Sequence, residues 1–496
     1  MSPWFVLLPL FILLGGGLVL MLADAFAGPS DAERGPQLAI PTTALLLMAG
    51  GSSVALWVSG GPALVPELLG DSLAVDSMAL FFDVVICGGG ALSALLAGGY
   101  LPEHRFERGE FYVLLLFSAF GAMVLARAAD LLTVFIGLET MSLGVYCLVA
   151  FRRTSARSVE GGLKYFLLGS FAAAVLLFGS ALLYGATGHT SFAGIGSSIA
   201  GGQASLPVAL MGMLLVLVGL AFKVSAVPFH MWTPDAYEGA PTPTTTFMSV
   251  AVKAAAFAVL VRILVVSFGD ELTASVATGW PPVVAALAAL SMIVGNAAAV
   301  VQPSVKRMLA YSSIAHAGYA LVGVASMSSE GPEGVSSVLY YMMAYTVSNV
   351  LAFGSLILMG SHGKEAVTYE DLAGAGRRHP MAALPFVIGI LSLLGLPPTA
   401  GFFGKYYVFN AAVQADMVGL AVLGVLTSAV GAYYYLRVIV YLYMKEPQAG
   451  APIAVPLRSG YVTAALVVSG YFVMKMGLTP SAYLDWALEA ARQLSS

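Results

Sequence analysis

The chain has 496 residues, of which 59% are hydrophobic and only 10% are charged. Soluble domains carry about 25% charged residues, so the bilayer must act as the solvent for most of this apolar side chain. The net charge of -4 comes without a cluster of basic residues, which argues against a nucleic-acid partner. Cys87 and Cys147 lie in apolar runs without CxxC spacing, which argues against a metal site or cluster held by this chain alone.

Taken in chain order, about 14 segments have the roughly 20 apolar residues that a membrane-spanning helix needs. The first is interpreted as a retained helix, because no Lys or Arg precedes it as in a signal peptide. The seventh and twelfth carry Pro228 and Pro397-Pro398, and proline interrupts helical hydrogen bonding. The sequence predicts an all-α polytopic membrane protein with discontinuous helices 7 and 12. The spans are 3–25, 36–59, 75–100, 110–128, 130–151, 161–186, 206–229, 242–268, 281–302, 305–327, 335–360, 381–410, 416–444 and 460–477.

Most of the 22 Lys and Arg residues fall in loops after odd-numbered helices. The opposite side carries only Arg127, Lys475 and Arg492. Positive charge marks cytoplasmic loops, so the sequence predicts that both termini face the periplasm of a bacterial inner membrane. The basic loop residues are Arg34, Arg105, Arg108, Arg152, Arg153, Arg157, Lys306, Arg307, Lys364, Arg377, Arg378, Lys445 and Arg458.

An internal repeat is predicted from residues 163–185 and 338–360, which share a Phe-Gly-Ser triplet and several further identities. An offset of about 175–185 also pairs the two broken helices, sets Lys223 against Lys405 and puts His316 near the position of Glu139. Because the unit has five helices, two copies in one chain must have opposite topology, an arrangement found in many transporters. The predicted divisions are 1–105 (three helices), 106–270 and 271–445 (inverted repeats), and 446–496 (a last helix and tail).

Ionisable residues in the middle of spans are functional candidates by default, because burying each costs at least ~2.5 kcal/mol. Glu139 lies mid-helix, and Lys223 lies one turn before Pro228. Burial disfavours a charged lysine and a nearby carboxylate favours it. A movable Glu139–Lys223 pair is therefore expected to bind and release a proton. The alternative is an ion pair that only fixes helix packing.

Further candidates lie on later helices. Lys253 is near the middle of helix 8, too deep to reach the interface easily. Lys405 follows the second proline break and has no carboxylate nearby in sequence. His316 is a candidate relay because imidazole titrates near neutrality, although a lone histidine is often only a hydrogen-bonded core residue. Lys164 lies close enough to the helix end to reach water, so it is a secondary candidate.

Other charged residues favour structural interpretations. Arg437 follows three tyrosines near a helix end and is interpreted as an interface anchor. Arg262 is a weak candidate. His230, Asp235 and Glu238 lack metal-site spacing, so loop capping is the preferred interpretation.

Two motifs resemble a known family. Residues 222–247, FKVSAVPFHMWTPDAYEGAPTPTTTF, resemble the signature of the antiporter-like membrane subunits of respiratory complex I and of Mrp-type cation/proton antiporters. Residues 395–409, GLPPTAGFFGKYYVF, resemble the subunit N family of NADH:quinone oxidoreductase, whereas the related subunit M typically has Glu at the place of Lys405. The likeness covers essentially the whole chain.

The resemblance implies that Glu139, Lys223, Lys253 and Lys405 form a proton path. It also implies that flavin mononucleotide, iron–sulfur clusters and the quinone belong to partner subunits, with none on this chain. Expected neighbours are the antiporter-like subunit M and the small subunit K, besides peripheral subunits and the lipid bilayer.

Three other functions remain open from the sequence. A subunit of a multisubunit Na+/H+ antiporter would share the fold and the lysines without needing a redox partner. A transporter for an organic solute is disfavoured because no polar recognition cluster is evident. A passive scaffold would leave the buried charges unexplained.

Overall fold

The computed structural model describes residues 3–26, 35–60, 71–275, 279–327, 331–360, 363–447 and 455–494. Within these ranges the chain forms helices and no β-strand. Arg34, used above for orientation, lies outside them. The α-helices are α1 (Leu8–Phe26), α2 (Gly35–Val58), α3 (Ser77–Glu103), α4 (Gly109–Ala126), α5 (Leu131–Val149), α6 (Ala156–Thr187), α7 (Phe192–Ala200), α8 (Leu206–Val224), α9 (Thr233–Gly239), α10 (Thr242–Phe247), α11 (Lys253–Phe268), α12 (Glu271–Ala274), α13 (Trp280–Val300), α14 (Val305–Ala325), α15 (Glu333–Met359), α16 (Ala375–Arg378), α17 (Pro380–Leu394), α18 (Ala400–Gln414), α19 (Val418–Tyr443), α20 (Gly460–Leu478) and α21 (Pro480–Arg492).

The predicted fold class, an all-α polytopic membrane protein, is confirmed. Within the described ranges, 13 helical stretches are long and apolar enough to cross a membrane. The eighth is continuous over Thr242–Phe268, with a π-helical segment at Met248–Val252 between α10 and α11. The twelfth predicted span, 381–410, is built from two shorter helices, α17 and α18.

The innermost helices are α14, α15 and the span Thr242–Phe268, in whose most apolar stretches 94%, 94% and 89% of the residues are buried. The outer helices α1 and α19 are only 33% buried and present apolar side chains outward. Since no water reaches the middle of a bilayer, polar groups on the inner helices must find partners within the protein.

Helices 7 and 12 are broken in the same way. The α8 helix ends at a left-handed residue, Ser225 (φ 67°), and α17 ends at Gly395 (φ 88°). The N–H of the next residue then bonds the carbonyl five residues earlier, at 2.8 and 3.0 Å respectively. This arrangement is a Schellman cap, which satisfies carbonyls that a helix end leaves free. The peptide bonds Val227-Pro228 and Pro397-Pro398 are both cis.

The two lysines beside these breaks do not occupy corresponding positions. Lys223 lies in the last turn of α8, before its break, whereas Lys405 lies in α18, after its break. The repeat predicted that Lys223 and Lys405 lie at equivalent positions, and relative to the two breaks they do not. The inverted repeat itself stays a prediction.

Arg127 was taken from the sequence as a loop charge, but it is fully buried. Its guanidinium bonds the Asp83 carboxylate on α3, and its Nη1 donates to the Val6 carbonyl at 2.9 Å. The Ser53 hydroxyl donates to the same carboxylate at 2.9 Å. This cluster joins the N-terminal segment, α2, α3 and the end of α4.

Arg262 is likewise paired rather than free. Its guanidinium bonds the carboxylate of Asp76, which also caps α3 through the N–H of Ala79 at 2.8 Å. Burial acts to raise the pKa of Asp76, but Arg262 and the hydrogen bonds hold it below its usual value. This pairing is consistent with a structural role for Arg262.

We expect Arg127→Met to destabilise the fold by about 3–5 kcal/mol, because it leaves the Asp83 carboxylate buried without its partner. The double replacement Asp83→Leu with Arg127→Met should recover most of that loss, since no unpaired charge remains. Thermal unfolding of the purified protein in mild detergent measures both, with Arg153→Met at an exposed position as the control. A double variant as unstable as the single one would contradict this interpretation.

Candidate functional site

Three lysines lie buried in the membrane interior. The side chains of Lys223, Lys253 and Lys405 belong to residues that are 2%, 2% and 7% exposed. In the part of the chain that the structure describes, none of them has a carboxylate oxygen within 4.0 Å. Their ammonium groups rest instead on hydroxyls, carbonyls and aromatic faces, so a positive charge there is held without a counter-ion.

Lys223 sits among tyrosines. Its Nζ donates to the Tyr165 hydroxyl on α6 at 3.3 Å. The same atom lies 5.0 Å from the ring centroid of Tyr165 and 5.2 Å from that of Tyr146 on α5. Aromatic faces attract a cation more strongly where water is excluded. The site can therefore hold the charged lysine, but less firmly than a carboxylate would.

Glu139 does not form an ion pair with Lys223 in this structure. It lies two turns before Tyr146 on α5, and its Oε1 is buried without a hydrogen-bond partner. The Tyr146 hydroxyl is also buried and unpartnered. In this structure Lys223 therefore contacts the Tyr146 ring, and the expected Glu139–Lys223 ion pair is not formed.

Aromatic side chains connect the Lys223 site to the centre of the protein. Trp232, in the break of helix 7, stacks on Tyr165 with ring centroids 4.0 Å apart. Its indole N–H donates at 3.1 Å to the Phe222 carbonyl, which also accepts from the Ser225 N–H at the end of α8. Trp232 then contacts Tyr237 edge to face at 6.2 Å, and the Tyr237 hydroxyl is buried and unpartnered.

Lys253 is held by an α14 serine. Its Nζ donates to the Ser313 hydroxyl oxygen at 2.5 Å and to the Ser313 carbonyl at 2.6 Å. The Ser313 hydroxyl oxygen also accepts from Tyr345 at 2.8 Å. A single serine therefore links Lys253 on α11 to a tyrosine on α15.

His316 forms the next junction. One ring nitrogen, Nδ1, lies 2.6 Å from the Tyr341 hydroxyl, and Nε2 lies 3.0 Å from the Tyr435 hydroxyl. The imidazole lies 5.1 Å from the Tyr345 ring between centroids. A cavity of about 10 Å³, close to the volume that one water needs, adjoins His316, Tyr341 and Tyr345. Each ring nitrogen therefore has a tyrosine hydroxyl with which it can exchange a proton.

Lys405 ends the series beside the second break. Its Nζ donates to the Leu394 carbonyl and to the Ser428 hydroxyl, both at 2.8 Å, and lies 4.8 Å from the Tyr319 ring centroid. Leu394 is the last residue of α17, where the helix dipole favours a cation. A groove of about 720 Å³ between α18 and α19 reaches Lys405 and Ser428. Lys405 therefore has access to the outside of the chain.

Lys164 lies apart from these residues. Its Nζ bonds Glu160 at 2.6 Å and Asp235 at 2.8 Å, and its side chain is 44% exposed. Arg307 bonds Asp235 at 2.8 Å and Glu238 at 2.9 Å. Burial acts to raise the pKa of Asp235, but its hydrogen bonds with Lys164 and Arg307 hold it below its usual value. The cluster fixes α9, so Lys164 has a structural partner here.

The remaining charged candidates take structural positions. Arg437 stacks 4.2 Å from the Tyr369 ring centroid, which fits an anchor role. His230 has a buried, unpartnered Nδ1, and burial lowers the pKa of this histidine. Across the described ranges, no three His, Cys, Asp or Glu residues converge as metal ligands.

Sequence reasoning identified the charged groups but missed the neutral ones between them. Those residues are Tyr146, Tyr165, Ser313, Tyr319, Tyr341, Tyr345, Ser428 and Tyr435. One signal was available, because Ser313 lies three residues before His316 and so shares its helix face. The tyrosines come from other helices, and only the packing brings them together.

Comparison with known proteins gives a consistent family. Residues 128–431 match the family model described as "NADH:quinone oxidoreductase/Mrp antiporter, TM". The chain is 58% identical to "NADH-quinone oxidoreductase subunit N 1" of Sorangium cellulosum, over 99% of both chains.

Two solved structures share the fold. A chain of respiratory complex I from Thermus thermophilus with bound aureothin has a TM-score of 0.78 and 36% identity, covering 96% of this chain and 98% of that one. A chain of the Mrp complex from Dietzia sp. DQ12-45-1b has a TM-score of 0.84 but only 22% identity, covering 100% and 97%. The second likeness shows the fold alone.

We expect Lys253→Met to leave the protein at least as stable as the parent, with a gain of about 1–2 kcal/mol. Methionine has a similar volume, and it removes an ammonium whose burial no carboxylate offsets. The thermal unfolding midpoint in mild detergent should rise or stay level, in contrast to Arg127→Met. A marked fall in the midpoint would show that the lysine is a structural element of the core.

Proposed function

This chain belongs to the NADH-quinone oxidoreductase subunit N family, and from that premise we propose that its buried lysines relay protons through the membrane. The chain is a multi-pass membrane protein and a subunit of an NADH:quinone oxidoreductase, respiratory complex I. The observation that carries the proposal is the chain of contacts from Lys253 through Ser313 and Tyr345 to His316. Hydroxyls and imidazole can each accept one proton and release another, which is what a relay needs.

The proposed route runs laterally through the middle of the membrane. A proton enters from the cytoplasmic side at the break of helix 7 and protonates Lys223. It passes by way of the Tyr165 and Tyr237 hydroxyls, with water as the carrier between them, to Lys253, then by Ser313 and His316 to Lys405. Release to the periplasmic side follows from Lys405. The 2.8 Å bond from Lys405 to Ser428 supports this exit.

Glu139 is proposed as the switch. When its carboxylate swings toward Lys223, the ion pair holds the proton; when it swings away, as in this structure, the proton is released inward. At ~4 Å and an effective dielectric constant of 20, such a pair is worth about 4 kcal/mol. Moving one charge against 100 mV costs ~2.3 kcal/mol. The switch is therefore large enough to drive the transfer.

The position of Glu139 supports a partner subunit on this face of α5. Glu139 is half-buried, and its outward neighbours Ile136 and Leu143 are 60% and 54% exposed. A carboxyl group facing lipid would be costly, so a protein neighbour is the better cover. We propose that subunits M and K flank the chain.

Redox chemistry is assigned to other subunits of the same complex. We propose that flavin mononucleotide, the iron–sulfur clusters and the quinone bind there, and that electron transfer reaches this chain only as a change of charge beside Glu139. Under this proposal the chain contributes to an oxidoreductase and translocase without holding a redox centre.

The proposed location is the bacterial inner membrane with both termini periplasmic. The excess of Lys and Arg in the loops after odd-numbered spans supports this orientation. We also propose 106–270 and 271–445 as inverted repeats, flanked by 1–105 and 446–496. The matching Schellman caps at Ser225 and Gly395 support that division.

We expect Lys223→Ala and Lys405→Ala to lower proton pumping several-fold in inner-membrane vesicles driven by NADH. Each change removes a proton-carrying group from the proposed route. Lys445→Ala, an exposed lysine after α19, serves as the matched control. Pumping at the parental ratio to quinone reduction in both route variants would contradict the relay.

Assembly is tested by purifying the tagged chain in mild detergent. We expect NADH-driven quinone reduction to co-purify with it. An eluate without flavin or iron–sulfur signals that exchanges Na+ for H+ in vesicles would support the Mrp-type antiporter instead.

A further inference from the structure

A carboxylate at the basic end of the bundle has no part in the route described so far. Glu365 lies in the segment after α15, and its side chain is 23% exposed. It accepts hydrogen bonds from the Tyr100 hydroxyl on α3 and, at 2.8 Å, from the Thr242 hydroxyl at the start of α10. The Lys306 ammonium on α14 lies 3.4 Å away. Glu365 therefore joins solvent to the first turn of the helix that carries Lys253.

Hydroxyl side chains lead from that turn toward Lys253. Thr242, Thr246 and Ser249, called here the hydroxyl row, are buried and spaced four and three residues apart, with Lys253 four residues further on. Such spacing places side chains on one helix face. The Thr246 hydroxyl donates to the Thr242 carbonyl at 2.9 Å, and the Ser249 hydroxyl donates to the Thr246 carbonyl at 2.8 Å.

The part of the same helix between Lys253 and Arg262 is entirely apolar. From Lys253 to Arg262 the intervening residues are AAAFAVLV, without a hydroxyl. The π-helical segment Met248–Val252 lies on the polar side, immediately before Lys253. Such segments loosen the regular hydrogen bonding of a helix and often occur at functional sites. On its own helix, Lys253 is therefore accompanied by hydroxyl groups on the Glu365 side and not on the Arg262 side.

Further titratable groups lie near Glu365, at the start of the hydroxyl row. His104 stacks on Tyr100 with ring centroids 4.1 Å apart, and its Nε2 is buried without a partner. Burial lowers the pKa of His104. Burial also acts to raise the pKa of Glu365, but Lys306 and the bonds from Tyr100 and Thr242 hold it below its usual value.

We infer that Glu365 collects protons on the cytoplasmic side and passes them along the hydroxyl row to Lys253. This second entry rests on the proposed function and orientation and bypasses Lys223. A hydronium ion protonates the Glu365 carboxylate and leaves water. Each hydroxyl then accepts one proton and releases its own, with water as carrier between neighbours. Lys253 changes from amine to ammonium, and the Glu365 carboxylate is restored.

The test uses the assembled complex in inner-membrane vesicles and measures protons pumped per electron. Glu365→Gln keeps acceptors for Tyr100 and Thr242 but cannot carry a proton, so the ratio should fall below the parental value while the Lys223 entry sustains the remainder. Glu365→Asp should restore it. Glu365→Gln combined with Lys306→Met balances the charge and should still pump poorly. A parental ratio in Glu365→Gln, or recovery in the double variant, would overturn the proposal and leave Glu365 as a clamp.

Variants of the row keep the test decisive if Glu365→Gln fails to assemble. Thr246→Val and Ser249→Ala remove only hydroxyls and should lower the ratio. Thr244→Val is the matched control, because that hydroxyl bonds the Leu148 carbonyl at 3.4 Å and lies outside the row. Parental ratios in both row variants would sink the second entry.

Lys253→Met in the same vesicles separates this proposal from the relay itself. Lost pumping there, with normal pumping in Glu365→Gln and both row variants, would refute the second entry alone. Normal pumping in Lys253→Met would refute the relay, and the second entry with it.

Discussion

The cost of placing a charge in the bilayer interior governs this structure. An unpaired ionisable group at mid-membrane costs at least ~2.5 kcal/mol, and the described ranges contain two distinct answers to that cost. Arg127 and Asp83 are completely buried and paired with each other, and Asp83 also accepts a hydrogen bond from Ser53. Lys223, Lys253 and Lys405 instead rest on neutral hydroxyls and carbonyls. Full pairing fixes helices in place, whereas neutral partners leave a proton free to come and go.

The broken helices supply part of that neutral environment. Each break ends in a Schellman cap, and the last carbonyls near it turn toward polar side chains. The Leu394 carbonyl accepts from Lys405, and the Phe222 carbonyl accepts from Trp232. Irregular backbone at membrane depth survives only where the protein satisfies it. The break of helix 12 therefore gives Lys405 a carbonyl acceptor. The break of helix 7 fixes the Trp232 indole, which stacks on Tyr165, the hydrogen-bond partner of Lys223.

Much of this was predictable from the sequence, because hydrophobic length and mid-span charges are local signals. The spans, both breaks and the burial of Lys253 follow from residue order alone. The role of Arg127 did not, because its partner Asp83 lies on another helix. The open Glu139 site and the His316 junction were equally hidden, since Tyr146, Tyr341 and Tyr435 reach them only through packing. The repeat pairs Lys223 with Lys405 in sequence, whereas in the structure Lys223 precedes its break and Lys405 follows its own, since a repeat does not fix which side of a break carries a charge.

The central claim is that protons cross between the Lys253 and Lys405 sites through His316. The most direct measurement is the number of protons pumped per electron by complex I carrying His316→Leu, reconstituted in liposomes with NADH and quinone. We expect a lower ratio, with electron transfer and assembly retained, because leucine cannot exchange protons with the Tyr341 and Tyr435 hydroxyls. An unchanged ratio at a normal rate of quinone reduction would show that protons do not pass through this junction.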